Sequence, residues 1–165
     1  MITYQQLCEQ QQKYNDELNK RCNNLRQLIS EFCQAISQNL GLSDKYYNAT
    51  INEVSATVPY VKLLELDSDE PQPIHVMKLP ITFDEQGDPI AEAGISLTLE
   101  RSPNTYPKQN VFIRIEFTLK QNILHLRFID FDDGLFQVTV NLDDNDRFAY
   151  AVEGYKQAIM KTFTI

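Results

Sequence analysis

Any chemistry in this chain would have to come from few residues: two histidines (His75 and His125), three cysteines (Cys8, Cys22 and Cys33) and no tryptophan. The most suggestive set is Arg114, Glu116, His125 and Arg127, with Glu100 nearby in the strand pattern. A histidine beside a glutamate on one sheet face can support general acid–base work or hold a small ligand, provided the sheet cups around them. On an open face the same residues are cross-strand pairs, each contributing a few tenths of a kcal/mol. Phe112, Ile129 and Leu135 share the face, and mixed aromatic, aliphatic and arginine surfaces also suit protein contact.

Other constellations are weaker. Asp130, Asp132 and Asp133 before Gly134 have the opening of a calcium loop, but the bidentate glutamate needed at position twelve is Asn141. An Asp-rich hairpin turn is expected there. Asp143, Asp144 and Asp146 are expected to cap the last helix rather than bind a cation. No phosphate-binding loop occurs among the five glycines, no serine sits in a nucleophile elbow, and no cysteine neighbours a histidine. The expectation is a chain without a metal or cofactor, in which no motif promotes catalysis and enzymatic activity is the alternative reading.

Charge narrows the partners. The chain of 165 residues carries 23 acidic and 15 basic side chains, a net −8, which disfavours nucleic acid because phosphate contacts need clustered Lys and Arg. Residues 1–40 are neutral, whereas residues 41–75 carry six acids against Lys45 and Lys62. Glu65, Asp67, Asp69 and Glu70 concentrate that acidity in one segment: a solvated loop, or a contact for a basic partner. No apolar run approaches the roughly 20 residues of a membrane span, and the first residues lack a signal-peptide pattern. The odd cysteine count without a CxxC pair reads as reduced, packed thiols in a cytoplasmic chain.

These residues are positioned by three elements. Thr3 and Gln6 have capping-box spacing, with Ile2 and Leu7 placed as a hydrophobic staple. Tyr4, Leu7, Tyr14, Leu18, Leu25, Leu28, Phe32 and Ala35 then alternate by three and four, while Ile29, Ile36 and Leu40 show the drift of a 3.6-residue period. Gly41 ends the helix, with Leu42 folding back on Ile36. Such a helix spans about 55 Å, against a diameter of roughly 40 Å for a compact domain of this length. Either it breaks in the polar stretch 19–24, or its first turns overhang and pack on a partner. Gln11 and Arg21 interrupt the stripe, which argues against a long dry coiled coil.

From about residue 56 the period becomes two. A two-residue turn at Gln121-Asn122 sets Leu119 opposite Leu124, Phe117 opposite Leu126, Ile115 opposite Phe128 and Glu116 opposite Arg127. A three-residue loop at 132–134 sets Phe128 opposite Val138, Leu126 opposite Val140 and Leu124 opposite Leu142, keeping the apolar face together. Residues 95–99 read as a strand, and 56–66 and 74–83 as extended, Pro80 confining the latter to an edge or bulge. Residues 43–55 fit a short helix or an edge strand. Residues 67–73, 84–89 and 102–109 read as loops. A last helix over 145–163 presents Phe148, Val152, Tyr155, Ile159 and Phe163, with Gly154 permitting close approach.

The expectation is one α+β domain: a long helix (1–41), an antiparallel meander of about six strands (56–142) and a C-terminal helix (145–163) in a two-layer sandwich. Its size, acidity and element order are those of small interaction proteins of the chaperone, immunity or inhibitor type, a likeness with no shared motif behind it. The leading expectation is a protein-interaction module that binds a basic protein partner or a second copy of itself. Its contacts would be Leu7, Gln11, Tyr14 and Leu18 on the helix, or the acidic segment at 65–70. The alternative is a small-ligand protein or enzyme using Arg114, Glu116, His125 and Arg127. A DNA-mimic inhibitor is a third reading, disfavoured because the long helix is neutral.

Overall fold

A computed structural model gives the fold, and the structure describes residues 1–51, 53–102, 108–131 and 137–164. Helix α1 runs unbroken over Tyr4–Asn39, so the polar stretch at 19–24 does not interrupt it. At its start the Thr3 hydroxyl accepts from the Gln6 amide (3.2 Å) and the Gln6 side chain accepts from the Thr3 amide (2.9 Å), the reciprocal pair of a capping box. At its end Gly41 takes φ 70°. The Leu42 amide donates to Ser37 O and the Gly41 amide to Gln38 O, which closes a Schellman motif.

Among the described residues the remaining elements are nine strands, a 3-10 turn and a second helix. Strands β1 (Tyr46–Ile51) and β2 (Val54–Pro59) form an antiparallel hairpin that is a sheet of its own. Residues 46–51 and 54–55, whose sequence fits a short helix or an edge strand, are therefore strand. The main sheet comprises β3 (Val61–Glu65), β4 (Gln72–Pro73), β5 (Thr82–Phe83), β6 (Pro89–Leu99), β7 (Gln109–Lys120), β8 (Ile123–Phe128) and β9 (Gln137–Asn141). Its order is β4-β3-β6-β7-β8-β9, with β5 paired to β6 and every pairing antiparallel. Helix α2 covers Ala149–Thr162. This is the α+β sandwich that the patterning requires.

The β7–β8 register matches its expectation pair for pair, with the left-handed turn position at Gln121 (φ 54°). The β8–β9 register does not. Leu126 faces Val138 and Leu124 faces Val140, a slip of two residues from the expected pairing. A shift of two returns every side chain to the same face, so alternation alone cannot exclude it. The Asp132-Asp133-Gly134 turn and Leu135 lie outside the described residues.

Five further expectations are corrected. Residues 56–66 are two strands separated at Tyr60, and 74–83 is mostly not extended: it holds a 3-10 turn (Val76–Lys78) before the short β5. Helix α2 begins at Ala149, and its N-cap is Phe148 with no side-chain hydrogen bond. Asp143, Asp144 and Asp146 therefore occupy the preceding turns, where Asp146 takes φ 51° and its carbonyl accepts from the Ala149 amide. Phe163 is half exposed, and Ala151 and Ala158 are buried on the α2 stripe. Finally, Cys8 is exposed, because its stretch of α1 has nothing to pack on.

Both helices lie on the odd-numbered face of β6 and β7. Phe32 of α1 contacts the rings of Phe117, Phe148 and Tyr155 at 6.1, 5.9 and 6.5 Å. The buried Tyr155 hydroxyl donates to Ile95 O at 2.9 Å, and burial drives its ionisation far upward. Gly154 lets α2 approach closely, since a Cβ there would lie 3.2 Å from Val138 Cγ2, tighter than ordinary contact. Glu31 pairs with Arg147, and Lys156 donates to Asn39 at 3.0 Å, so polar bonds tie α1 to the turn before α2 and to α2 itself.

Candidate interaction surfaces

The buried residues of α1 are Leu25, Leu28, Ile29, Phe32 and Ile36. All belong to its second half. The first half keeps the same three-four spacing but stands off the body, with Tyr4, Leu7 and Tyr14 exposed at 82, 60 and 62%. Leu18 is half-buried and Gln11 exposed. Residues 4–20 thus project about 25 Å at 1.5 Å per residue. Within this segment the helix is supported by i,i+4 contacts: Gln5 to Glu9 (3.2 Å) and Gln12 to Asp16 (2.9 Å), with Glu17–Arg21 (3.4 Å) at its base. Each adds only a few tenths of a kcal/mol.

The helix leaves the body at one end of the sheet. There Arg21 Nη1 donates to Gly87 O at 2.8 Å, and Arg26 donates to Leu79 O through Nε and Nη2 at 3.1 and 2.9 Å. The 65–70 loop leaves β3 at this same end, beside the start of β6. The Glu65 carboxylate is engaged within its own loop, accepting from the Asp67 amide at 3.0 Å and from the Ser68 hydroxyl. Asp67, Asp69 and Glu70 are exposed. Asp84, Glu85 and Asp88 lie in the turn before β6, whose Gly87 O holds Arg21, so acidic residues of two loops form a rim at the end of the sheet from which the helix projects. The two contact surfaces expected separately are therefore neighbours.

The even-numbered face carries the other candidate set. Arg127 Nη2 pairs with Glu116 Oε2 at 3.2 Å, while Arg114 Nε reaches both oxygens of Asp130 at 3.1 Å. His125 stands between Thr118 of β7 and Thr139 of β9. An open depression of about 440 Å³ runs over these strands, lined by Glu116, Thr118, His125, Arg127, Gln137 and Thr139 among others. Among the described residues His125 makes no hydrogen bond to Glu116, whose carboxylate is engaged by the arginine. The geometry brings Glu116, His125 and Arg127 together and leaves Arg114 with Asp130.

A third cluster escaped the sequence reading. The Tyr60 hydroxyl donates to Glu100 Oε2 at 2.7 Å, and Lys108 Nζ meets the same oxygen at 2.5 Å. Tyr47 packs edge-on to Tyr60 at 5.1 Å, its hydroxyl 3.0 Å from that of Thr98, which donates to Asn110 at 2.6 Å. Lys62 donates to Tyr47 at 3.1 Å, and the Lys108 ammonium lies 5.5 and 5.6 Å from the two ring centres. The Lys108 side chain is only 6% exposed. The Lys108 and Tyr60 bonds hold the Glu100 carboxyl below its ordinary range, and the shared carboxylate raises Lys108 and Tyr60. The cluster clasps the β1–β2 hairpin to the outer face of β6. Its one legible signal was Glu100, because Lys108 sat in a segment read as loop.

Cys33 packs, partly buried, at the margin of the core, and desolvation pushes its thiol up to about 12, which disfavours the thiolate at neutral pH. Among the described residues no group of three or more His, Cys, Asp or Glu side chains could hold a metal ion, and no helix is long and apolar enough to cross a membrane. Fold and surfaces together define an α+β sandwich with a projecting amphipathic helix. No protein-family model, curated protein or solved structure matches the chain.

Proposed function

We propose that this chain is a non-enzymatic protein-interaction module of the chaperone, immunity or inhibitor type. Its contact surface is the projecting half of α1, bordered by the acidic rim. One observation carries the reading: Tyr4, Leu7 and Tyr14 stay open on a regular helix that stands clear of its own core. A solvated helix of this length is marginal on its own, and aligned apolar side chains recover free energy when a second surface covers them, at roughly 25 cal/mol per Å². The rim at its base would attract a basic partner, raising association rate more than affinity.

The test is capture from cells that express the chain, using intact protein and a Tyr14→Asp variant as parallel baits. A protein retained by the first and lost by the second supports the reading. Partners held equally by both baits count against the helix as the contact surface.

A further inference from the structure

Resting on that reading of α1, we propose that the occupant of its projecting face is a second copy of this chain, laid antiparallel. Tyr4, Leu7, Gln11, Tyr14 and Leu18 continue with unchanged spacing into Leu25, Leu28 and Phe32, which are buried on the chain's own sheet. A parallel copy on this face would have to run on beside residues 25–39, because α1 is unbroken to Asn39. That volume is already filled by β6, β7 and the 76–78 turn, all in contact with α1. An antiparallel copy meets no such obstacle, because its helix stops at the Thr3 capping box.

The position where the body begins then sets the register. Arg21, bonded to Gly87 O, marks the base of the projection. Sliding two helices until Tyr4 of each reaches Arg21 of the other places Leu7 opposite Leu18 and Gln11 opposite Tyr14. Every seam position finds a compatible partner: leucine on leucine, amide beside phenol, and a ring against a guanidinium. The contact is isologous, with its twofold axis between positions 11 and 14, and closes as a dimer. Flanking positions raise no like-charge clash, since Gln10 falls beside Glu17 of the second copy and Cys8 beside Asn15. Tyr4, Leu7, Gln11 and Tyr14 of both copies, losing about 100 Å² each, bury roughly 800 Å², to which the half-buried Leu18 adds little; that is below standard-size interfaces and in the range of weak ones. The dimer is therefore reversible and concentration-dependent.

The experiment is sedimentation equilibrium of the full chain over a concentration series, with Leu7→Asp and Asn15→Cys variants beside it. The expected result is a monomer–dimer equilibrium that Leu7→Asp weakens by more than about tenfold, while its circular dichroism stays that of the parent. Mild oxidation of Asn15→Cys should join position 15 of one copy to Cys8 of the other. Trypsin, cutting after Lys13 and Lys20, places these two positions on separate peptides for mass spectrometry. A strict monomer overturns the self-pairing while leaving α1 open to a foreign partner. A dimer weakened by Leu7→Asp but lacking the 15-to-8 link overturns the antiparallel order. A dimer indifferent to Leu7→Asp overturns this inference and the reading of α1 together.

Discussion

Tyr14 and Phe32 lie five full turns apart on α1, at the same angle around its axis, so truncating each to alanine isolates what tertiary contact adds to one helical face. Phe32 is fully buried against three aromatic rings. Phe32→Ala should cost about 3–5 kcal/mol, a large share of the ~5–15 kcal/mol that holds a typical domain together. At about 2–4 °C per kcal/mol for a chain of this size, the midpoint should fall by about 6–20 °C. Tyr14 is 62% exposed, so Tyr14→Ala should stay within about 0.5 kcal/mol in the monomer. Urea unfolding of both variants, at a concentration low enough to exclude self-association, measures the contrast. The reasoning is refuted if Tyr14→Ala costs about 2 kcal/mol or more in that monomer, since the projecting turns would then be packed. A cost near zero for Phe32→Ala would equally remove it from the core.

Three other outcomes are expected. Hydrogen exchange of the dilute chain should show amides of residues 8–18 exchanging well before those of 26–36, because only the latter are locked by burial; uniform protection along α1 would contradict the projection. Glu100→Gln should alter stability on the acid side. A carboxylate held below its ordinary value of 4.5 contributes stability that is full above about that pH and lost as pH falls through its folded-state value. The gap in melting temperature between parent and variant should therefore shrink with acidification below this point, and a gap independent of pH would refute the clasp. Native alkylation at pH 8 should modify Cys8 quickly and Cys33 slowly, because Cys8 is exposed whereas Cys33 is partly buried with its thiol pushed up to about 12; equally rapid labelling of both in peptide maps would contradict that packing.

Several features were legible because their physics is local. Thr3 and Gln6 satisfy each other's orphan amides across one turn, and Gly41 supplies the left-handed residue that ends α1; both motifs are contained in a few adjacent residues. The β7–β8 pairing was equally readable, since a two-residue turn and two patterned strands leave one register. The β8–β9 pairing was not, because alternation sets only which face a residue takes and a slip of two preserves it. The C-terminal helix was placed by its apolar stripe, yet its start was misjudged from three aspartates that serve the preceding turns instead.

Sequence alone thus determined the long helix, the β7–β8 hairpin, the presence of a last helix and the α+β class, because hydrogen-bond geometry and periodicity act within a turn or between adjacent strands. It could not say which half of α1 the body covers: Tyr14 and Phe32 present the same pattern, and only the size and placement of the sheet separate them. Nor could it assemble Tyr47, Tyr60, Glu100 and Lys108 into one clasp, or set the acidic loop at the base of the projecting helix. Those groups are brought together by the folding of distant segments into two layers. That closure decides which apolar residues are buried in this chain and which remain available to another.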